Sequence, residues 1–491
     1  MDVFLQTFVA VRDESSSVFS IMGPGNLDPV SADAPPWCGE CPRRDRIAIQ
    51  RTDSTLVALS RCWWNSRTDR RVAGDTDRTN TKTRRRTLTT VDARTAYWIR
   101  AVVGVTFLFG VVTALAFGVL GRQVAAENFA TVFTWPVWFR GVGLLAILLG
   151  SPWNALSPWR AVYRGLCRLE GRQLAVLGGY PSQLGAWPAL AGFLLLIGIV
   201  ENLTVIPRSP TLTTVVISVY AFVMLTGAVL FGPTWFERAD PLGVLYRLFG
   251  HVAGVSINRT PAGNVEISVR PPWRGCSDPV SGLAIVVFVV AAVYTVSFDG
   301  FTNTRLYQTV LFGVRDAIGT GPPTSVLLYV FGLVLFVGAF ALTVLAGDAL
   351  GISPRLGDEI ATDGGQTAWR GAARAFAPTI LPIAAAYDVA HNYPYVVRST
   401  ARLLEISAQP LEIGVDSLDP FGWLSLQVFW GSQVLLIVIG HVIAVVAAHH
   451  VAVERYPSLS DARRGHLPLV VLMIGYTVLS LWIISQPVVG G

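Results

Sequence analysis

Two helix-length apolar segments hold most of the side chains that could do chemistry. The first, 376–397, contains Asp388 and His391. The second, 427–451, contains Gln433, His441 and the pair His449-His450. Ionisable groups at membrane depth are expensive, so each marks a functional site by default. Imidazole with carboxylate suits zinc or another divalent ion, and an open coordination position would permit hydrolysis. On that reading the ligands are His391, His441 and Asp388, with His449 as a further donor. The same groups could instead titrate along a carrier's path, joined by Glu201, Asp299 and Gln433. A third reading is a polar packing network between helices with no ligand at all. A haem held by two of these histidines is a fourth.

The elements that must position these groups follow from spacing. Asp388 and His391 are three apart and share a helical face. Pro382 and Pro394 each remove a backbone hydrogen bond, so the spacing predicts a kinked or interrupted helix beside the polar pair. Asp388 and His441 each lie ten residues from a span end, about 15 Å, which puts both near the midplane of a ~30 Å core. Glu201 and Asp299 fall towards the outer end. Asp299-Gly300 reads as a turn. One of His449 and His450 can face the interior, because they lie on opposite sides of their helix.

Composition sets the class. Hydrophobic residues make up 52%, charged residues 14%, and the mean hydropathy is +0.50. Soluble domains carry about 25% charged residues. The expected fold is all-α, a polytopic transmembrane bundle of about nine spans with interfacial amphipathic helices. The spans are 98–120, 131–150, 187–206, 211–232, 280–297, 324–346, 376–397, 427–451 and 467–485. The span 131–150 carries Arg140 near its middle, which calls for a tilt or a carboxylate partner such as Glu201. Arginines crowd alternate loops, so the segment before the first span is expected in the cytoplasm and the C-terminus outside. The partners implied are the lipid bilayer and a small molecule of unknown identity. The excess of +6 is arginine-rich, with Lys82 the single lysine. It reads as GC-rich coding rather than a nucleic-acid footprint.

A repeat is visible at an offset of 83 residues. Ser157-Pro158 with Tyr163-Arg164 recurs as Asp240-Pro241 with Tyr246-Arg247. Each copy opens a helix, with Ser or Asp as N-cap and proline at the first position. Both helices are expected at the cytoplasmic interface, and His251 in the second on its polar face. Residues 256–275 read as a small β-hairpin. Residues 1–93 have no sustained apolar period and are expected to stay disordered. Such text also arises from a mis-set start or a frameshift, leaving 94–487 as the membrane domain. The five cysteines, Cys38, Cys41, Cys62, Cys167 and Cys276, are too scattered for a disulfide framework.

Several stretches together resemble a family of uncharacterised prokaryotic multi-span membrane proteins whose members are labelled fenitrothion hydrolase. They are Gly150 through Ser157-Pro158-Trp159-Arg160, Phe298-Asp299-Gly300, Ala377-Pro378 with Tyr387 and Ala390-His391, Gly440-His441 with Ala448-His449, and Tyr476-Thr477 with Leu481-Trp482. The resemblance covers about Thr95 to Pro487. It implies organophosphate-ester hydrolysis. It also implies a further His-containing apolar segment ahead of Tyr97, where this chain has arginine-rich text.

Overall fold

A computed structural model describes residues 86–261, 263–351, 368–409 and 418–486. All belong to one compact unit, Thr81–Gly491. Lipid offers no hydrogen bonds, so a spanning backbone must satisfy its own polar groups, and helices do so. The main helices are α1 Ala93–Leu120, α2 Phe129–Leu149, α3 Pro158–Glu170, α4 Trp187–Glu201, α5 Pro210–Phe231 and α6 Pro241–Val252. Then follow α7 Leu283–Thr302, α8 Arg305–Ile318, α9 Pro323–Leu350, α10 Leu381–Ala408, α11 Leu426–Arg455 and α12 Leu459–Ser485.

Seven of these are long and apolar enough to cross a membrane: α1, α2, α5, α7, α9, α11 and α12. The chain is therefore a multi-pass membrane protein. Two of the nine expected spans are not among the seven. The apolar helix α4 is too short, and α10 is long but interrupts its apolar run with Asp388, His391 and Asn392. Burial sorts the seven. The apolar stretches of α2 and α7 are 78% and 83% buried, and those of the other five only 17–39%. So α2 and α7 form the centre, and the others present leucine, valine and phenylalanine outward, as lipid-facing helices do.

The repeat survives in three dimensions. Gly150 ends α2 with φ 85° and Gly232 ends α5 with φ 75°, a conformation glycine adopts without strain. A short helix follows each, Trp153–Leu156 and Thr234–Arg238, and then α3 or α6. The copies pack reciprocally. Tyr163 of the first meets Phe236 of the second at 5.7 Å and 72°. Tyr246 of the second meets Trp153 of the first at 5.4 Å and 71°. These two pairs map onto each other by the 83-residue offset, which is the signature of a local two-fold relation. The copies then diverge. In α3 the outer residues Leu166 and Leu169 are exposed, as an interfacial helix requires. In α6 Leu242, Val244, Leu245, Tyr246, Leu248 and Phe249 are all buried. That helix is core rather than interface, because it is clasped between α2, α4 and α10.

Three further expectations change. Val255–Arg259 (β2) and Val265–Val269 (β3) form the hairpin, and Arg86–Val91 (β1) adds a third strand in the order β1-β3-β2. Residues 86–91 of the expected tail are thus ordered by pairing; residues 1–85 lie outside the described residues. The helix α10 runs unbroken through Pro394, and the irregular turn precedes it at Ala377–Ile380. Finally, α8 was not foreseen: it is amphipathic, capped by Thr304, and buries only Tyr307.

Candidate functional site: a buried arginine among three carboxylates

The site forms where backbone regularity fails. Pro136 has no N–H to donate, and its ring crowds the preceding turn. Around it, Phe133–Gly141 of α2 widens into π-helical turns. Such turns are rare and cluster at functional sites. Arg140 projects from this stretch into the protein and is almost fully buried. A second π-helical stretch, Leu194–Glu201, ends α4 and carries Glu201.

Arg140 gathers carboxylates from three other helices. Its Nε donates to Glu201 Oε1 at 2.7 Å, and its Nη1 to Asp388 Oδ1 at 3.2 Å. Its Nη2 lies 3.5 Å from Asp299 Oδ2 and donates to Asn202 Oδ1 at 3.4 Å. Asn392 Nδ2 donates to Asp388 Oδ1 at 3.0 Å. His391 Nε2 stands 3.7 Å from the Asp299 carboxylate, with its ring over Tyr387 at 5.9 Å. The pairing of Arg140 with Glu201 follows the sequence reading. The place of Asp299 does not: it sits inside α7, and Gly300 is there because a Cβ would meet the Tyr387 hydroxyl and Ile483.

One guanidinium faces three carboxylates, all largely removed from water. If all three are ionised, the group carries a surplus of two negative charges before His391 is counted. Burying unpaired charge costs several kcal/mol per ion even after relaxation. The surplus must therefore be met by protons, by a protonated His391, or by a bound cation. The second oxygen of Glu201, Oε2, is buried and has no hydrogen-bond partner among the described residues.

Cavities flank the group on two sides. One of about 20 Å³ is lined by Arg140, Asp388, Gly143 and Thr295 among apolar neighbours. That is room for about one water. The other, about 350 Å³, is lined by His391, Tyr387, Arg398, Gln433, Tyr395 and Trp430, among others. Its size is within the range of small-molecule sites. His391 stands between this cavity and Asp299. A continuous polar line thus runs from the larger cavity through His391, Asp299 and Arg140 to Asp388 and the smaller one.

The expected metal set is not assembled. Among the described residues no group of three or more His, Cys, Asp or Glu could hold a metal ion. Arg140 and Asn392 occupy the Asp388 carboxylate, and the acid facing His391 is Asp299. His441 engages the Ile437 carbonyl through Nδ1 at 2.8 Å, and its Nε2 is buried without a hydrogen-bond partner among the described residues. His449 and His450 are both exposed, and His449 packs against His466 of α12 at 5.4 Å. Gln433 does reach the site, as a wall of the larger cavity. Sequence reasoning missed Asn202 and the cavity role of Arg398, which carried no signal beyond a loop charge. No protein family, curated protein or solved structure matches this chain.

Proposed function

We propose that the protein is a membrane carrier that couples a small solute to protons bound at the Arg140 group. The carrying observation is the charge imbalance: three buried carboxylates on one guanidinium, beside a cavity of about 350 Å³. A site with surplus negative charge at membrane depth is what a coupling cation needs. The widened helices α2 and α4 support the reading, since irregular backbone at that depth persists only where protein covers it or a cavity lies beside it. The arginine asymmetry of the loops puts the mouth of the larger cavity on the outer face, the segment before α1 in the cytoplasm and the C-terminus outside. The alternative of metal-dependent ester hydrolysis, with His391, His441 and Asp388 around zinc, rests on residue types and the family resemblance, and no such ligand group is assembled among the described residues.

The test is charge movement in proteoliposomes adsorbed on a solid support. A step in external pH should displace charge transiently in the wild type. Asp299→Asn and Asp388→Asn should abolish it. A folded wild type that moves no charge after the step ends the carrier reading.

A further inference from the structure

The larger cavity has a chemistry of its own. Among the described residues no aspartate or glutamate lines it. Its basic groups are the Arg398 guanidinium and the His391 imidazole. They are seven residues apart on α10, two turns along one face and about 10 Å along the axis. Arg398 lies over the Phe421 ring at 5.3 Å and makes no ion pair among the described residues. The ring positions the guanidinium and leaves its planar donor fork unclaimed by any acid. Gln433 is buried, makes no hydrogen bond among the described residues, and lines the same space. Tyr387, Tyr395, Phe429 and Trp430 supply aromatic surface between these polar groups.

We propose that this cavity takes a small organic monoanion, a carboxylate on an apolar body. The carboxylate pairs with Arg398, the Gln433 amide completes its hydrogen bonds, and the apolar body lies among the aromatic rings. A cation would meet Arg398 and find no acid on the wall among the described residues, because His391 stands between the cavity and Asp299. Arg398 is exposed at the rim of the cavity, and a neutral solute would leave its charge to water alone. The inference names the solute class of the carrier reading above and rests on that reading for its role in transport. Anion and proton then bind on opposite sides of His391, the anion in the cavity and the proton on the carboxylates. A lipid headgroup has the same anionic chemistry, so the test separates the two sources.

The experiment uses the full chain in phosphatidylcholine nanodiscs and calorimetric titration with benzoate, benzamide and benzylamine, which share one body and differ in charge. Benzoate should bind at least tenfold more tightly than the other two. Arg398→Gln should weaken benzoate at least tenfold and Gln433→Leu a few-fold. Arg402→Gln, one turn on and paired with Glu405, should change nothing. Thermal unfolding of each variant checks that it is folded. Equal binding of benzamide or benzylamine, no saturable benzoate binding, or indifference to Arg398→Gln in a folded variant overturns the proposal. So does exclusion of benzoate when phosphatidylglycerol replaces part of the lipid, since the anion would then be a headgroup. Benzoate binding without charge movement after a pH step would keep this site and end the carrier reading. Charge movement with no preference for benzoate would do the reverse.

Discussion

Asp240 and the three acids around Arg140 have opposite surroundings. Asp240, at the head of the second repeat, is fully buried and met by three donors. Trp153 Nε1 reaches Oδ2 at 2.7 Å, and the Tyr220 hydroxyl and the Gly243 amide reach Oδ1. It borders neither of the two cavities described. Asp299, Asp388 and Glu201 share one guanidinium instead, with Glu201 Oε2 unpartnered and a cavity on each side. The first arrangement closes a helix cap and joins the two repeat copies, which is structural work. The second leaves charge to be balanced by something that can come and go. A fully satisfied acid rigidifies, whereas an over-subscribed one is free to exchange a proton or an ion.

The sharpest way to break this comparison is to remove the shared cation. Arg140→Met leaves three buried carboxylates facing one another, and breaking a buried pair by taking one partner costs about 3–5 kcal/mol. The expected result is loss of folded protein in detergent, read as thermal stability. Adding Asp299→Asn, Asp388→Asn and Glu201→Gln should restore much of it. A single variant that unfolds at the wild-type temperature would mean that the carboxylates are already neutral without Arg140.

Next in size is the paired exchange of Asp240→Asn and Asp299→Asn. The amide at 240 keeps one acceptor and turns the other into a donor, leaving Trp153 or Tyr220 unsatisfied. About 1–3 kcal/mol should be lost. Charge movement should persist in whatever protein folds. At 299 the same change removes surplus charge, so stability should move by less than about 1 kcal/mol in either direction. Charge movement should vanish. If the two variants lose stability alike, the distinction between the acids fails.

The class of the protein was legible because apolar runs are a one-dimensional property. So was the repeat, whose cap and proline positions act locally. The hairpin was legible for the same reason, though its third strand, β1, comes from about 175 residues away and had no local signature. The site was legible only in its members. Asp388, His391, Glu201, Asp299 and Gln433 were all picked out by the cost of polar groups in lipid, and they do adjoin the site. Glu201 was matched to Arg140, but the aspartates were matched to histidines or to a turn, because that cost says a group needs a partner and not which one. Arg140 won the carboxylates from the histidines because a guanidinium offers five donors in a rigid fork and an imidazole at most two. The proline of α10 misled for another reason. Its helix absorbs Pro394 within one continuous run, and the distortion sits at Pro136 in α2, a span with less polar text around it.

A smaller effect is expected at the edge of the fold. Starting the chain at Thr95 removes β1 and the cap that Asp92 gives α1 through the Thr95 amide at 2.9 Å. An N-cap of this kind contributes about 1 kcal/mol. Amides of β3 that pair with β1 should exchange with deuterium faster, while α2 and α7 keep their protection. Starting at Thr81 should leave β3 protected. Loss of the whole fold on starting at Thr95 would make the three-stranded sheet a condition of the bundle.

The smallest expected effect is at His251, on the last turn of α6. It should behave like Asp240, as part of the structure, although it is ionisable. Burial pushes its imidazole below the ordinary value, and the Arg270 guanidinium adds to that. Its Nδ1 is buried without a hydrogen-bond partner among the described residues, and Arg270 Nη2 donates to the His251 carbonyl at 3.0 Å. In the unfolded chain the imidazole takes a proton near its ordinary value of about 6.5. The folded protein resists that proton until the pH is lower. Between those two points the unfolded state binds more protons, so stability falls as the pH falls. Above the unfolded value the group is neutral in both states and contributes no slope. Thermal unfolding compared between about pH 8 and about pH 5 should therefore show a loss at the acid end, part of which His251→Gln removes. Charge movement after a pH step should be the same in the variant, because this imidazole lies at the end of α6 beside the hairpin and not on the line from His391 to Asp388. A variant with the wild-type slope of stability against pH would show that His251 takes up its proton equally in both states.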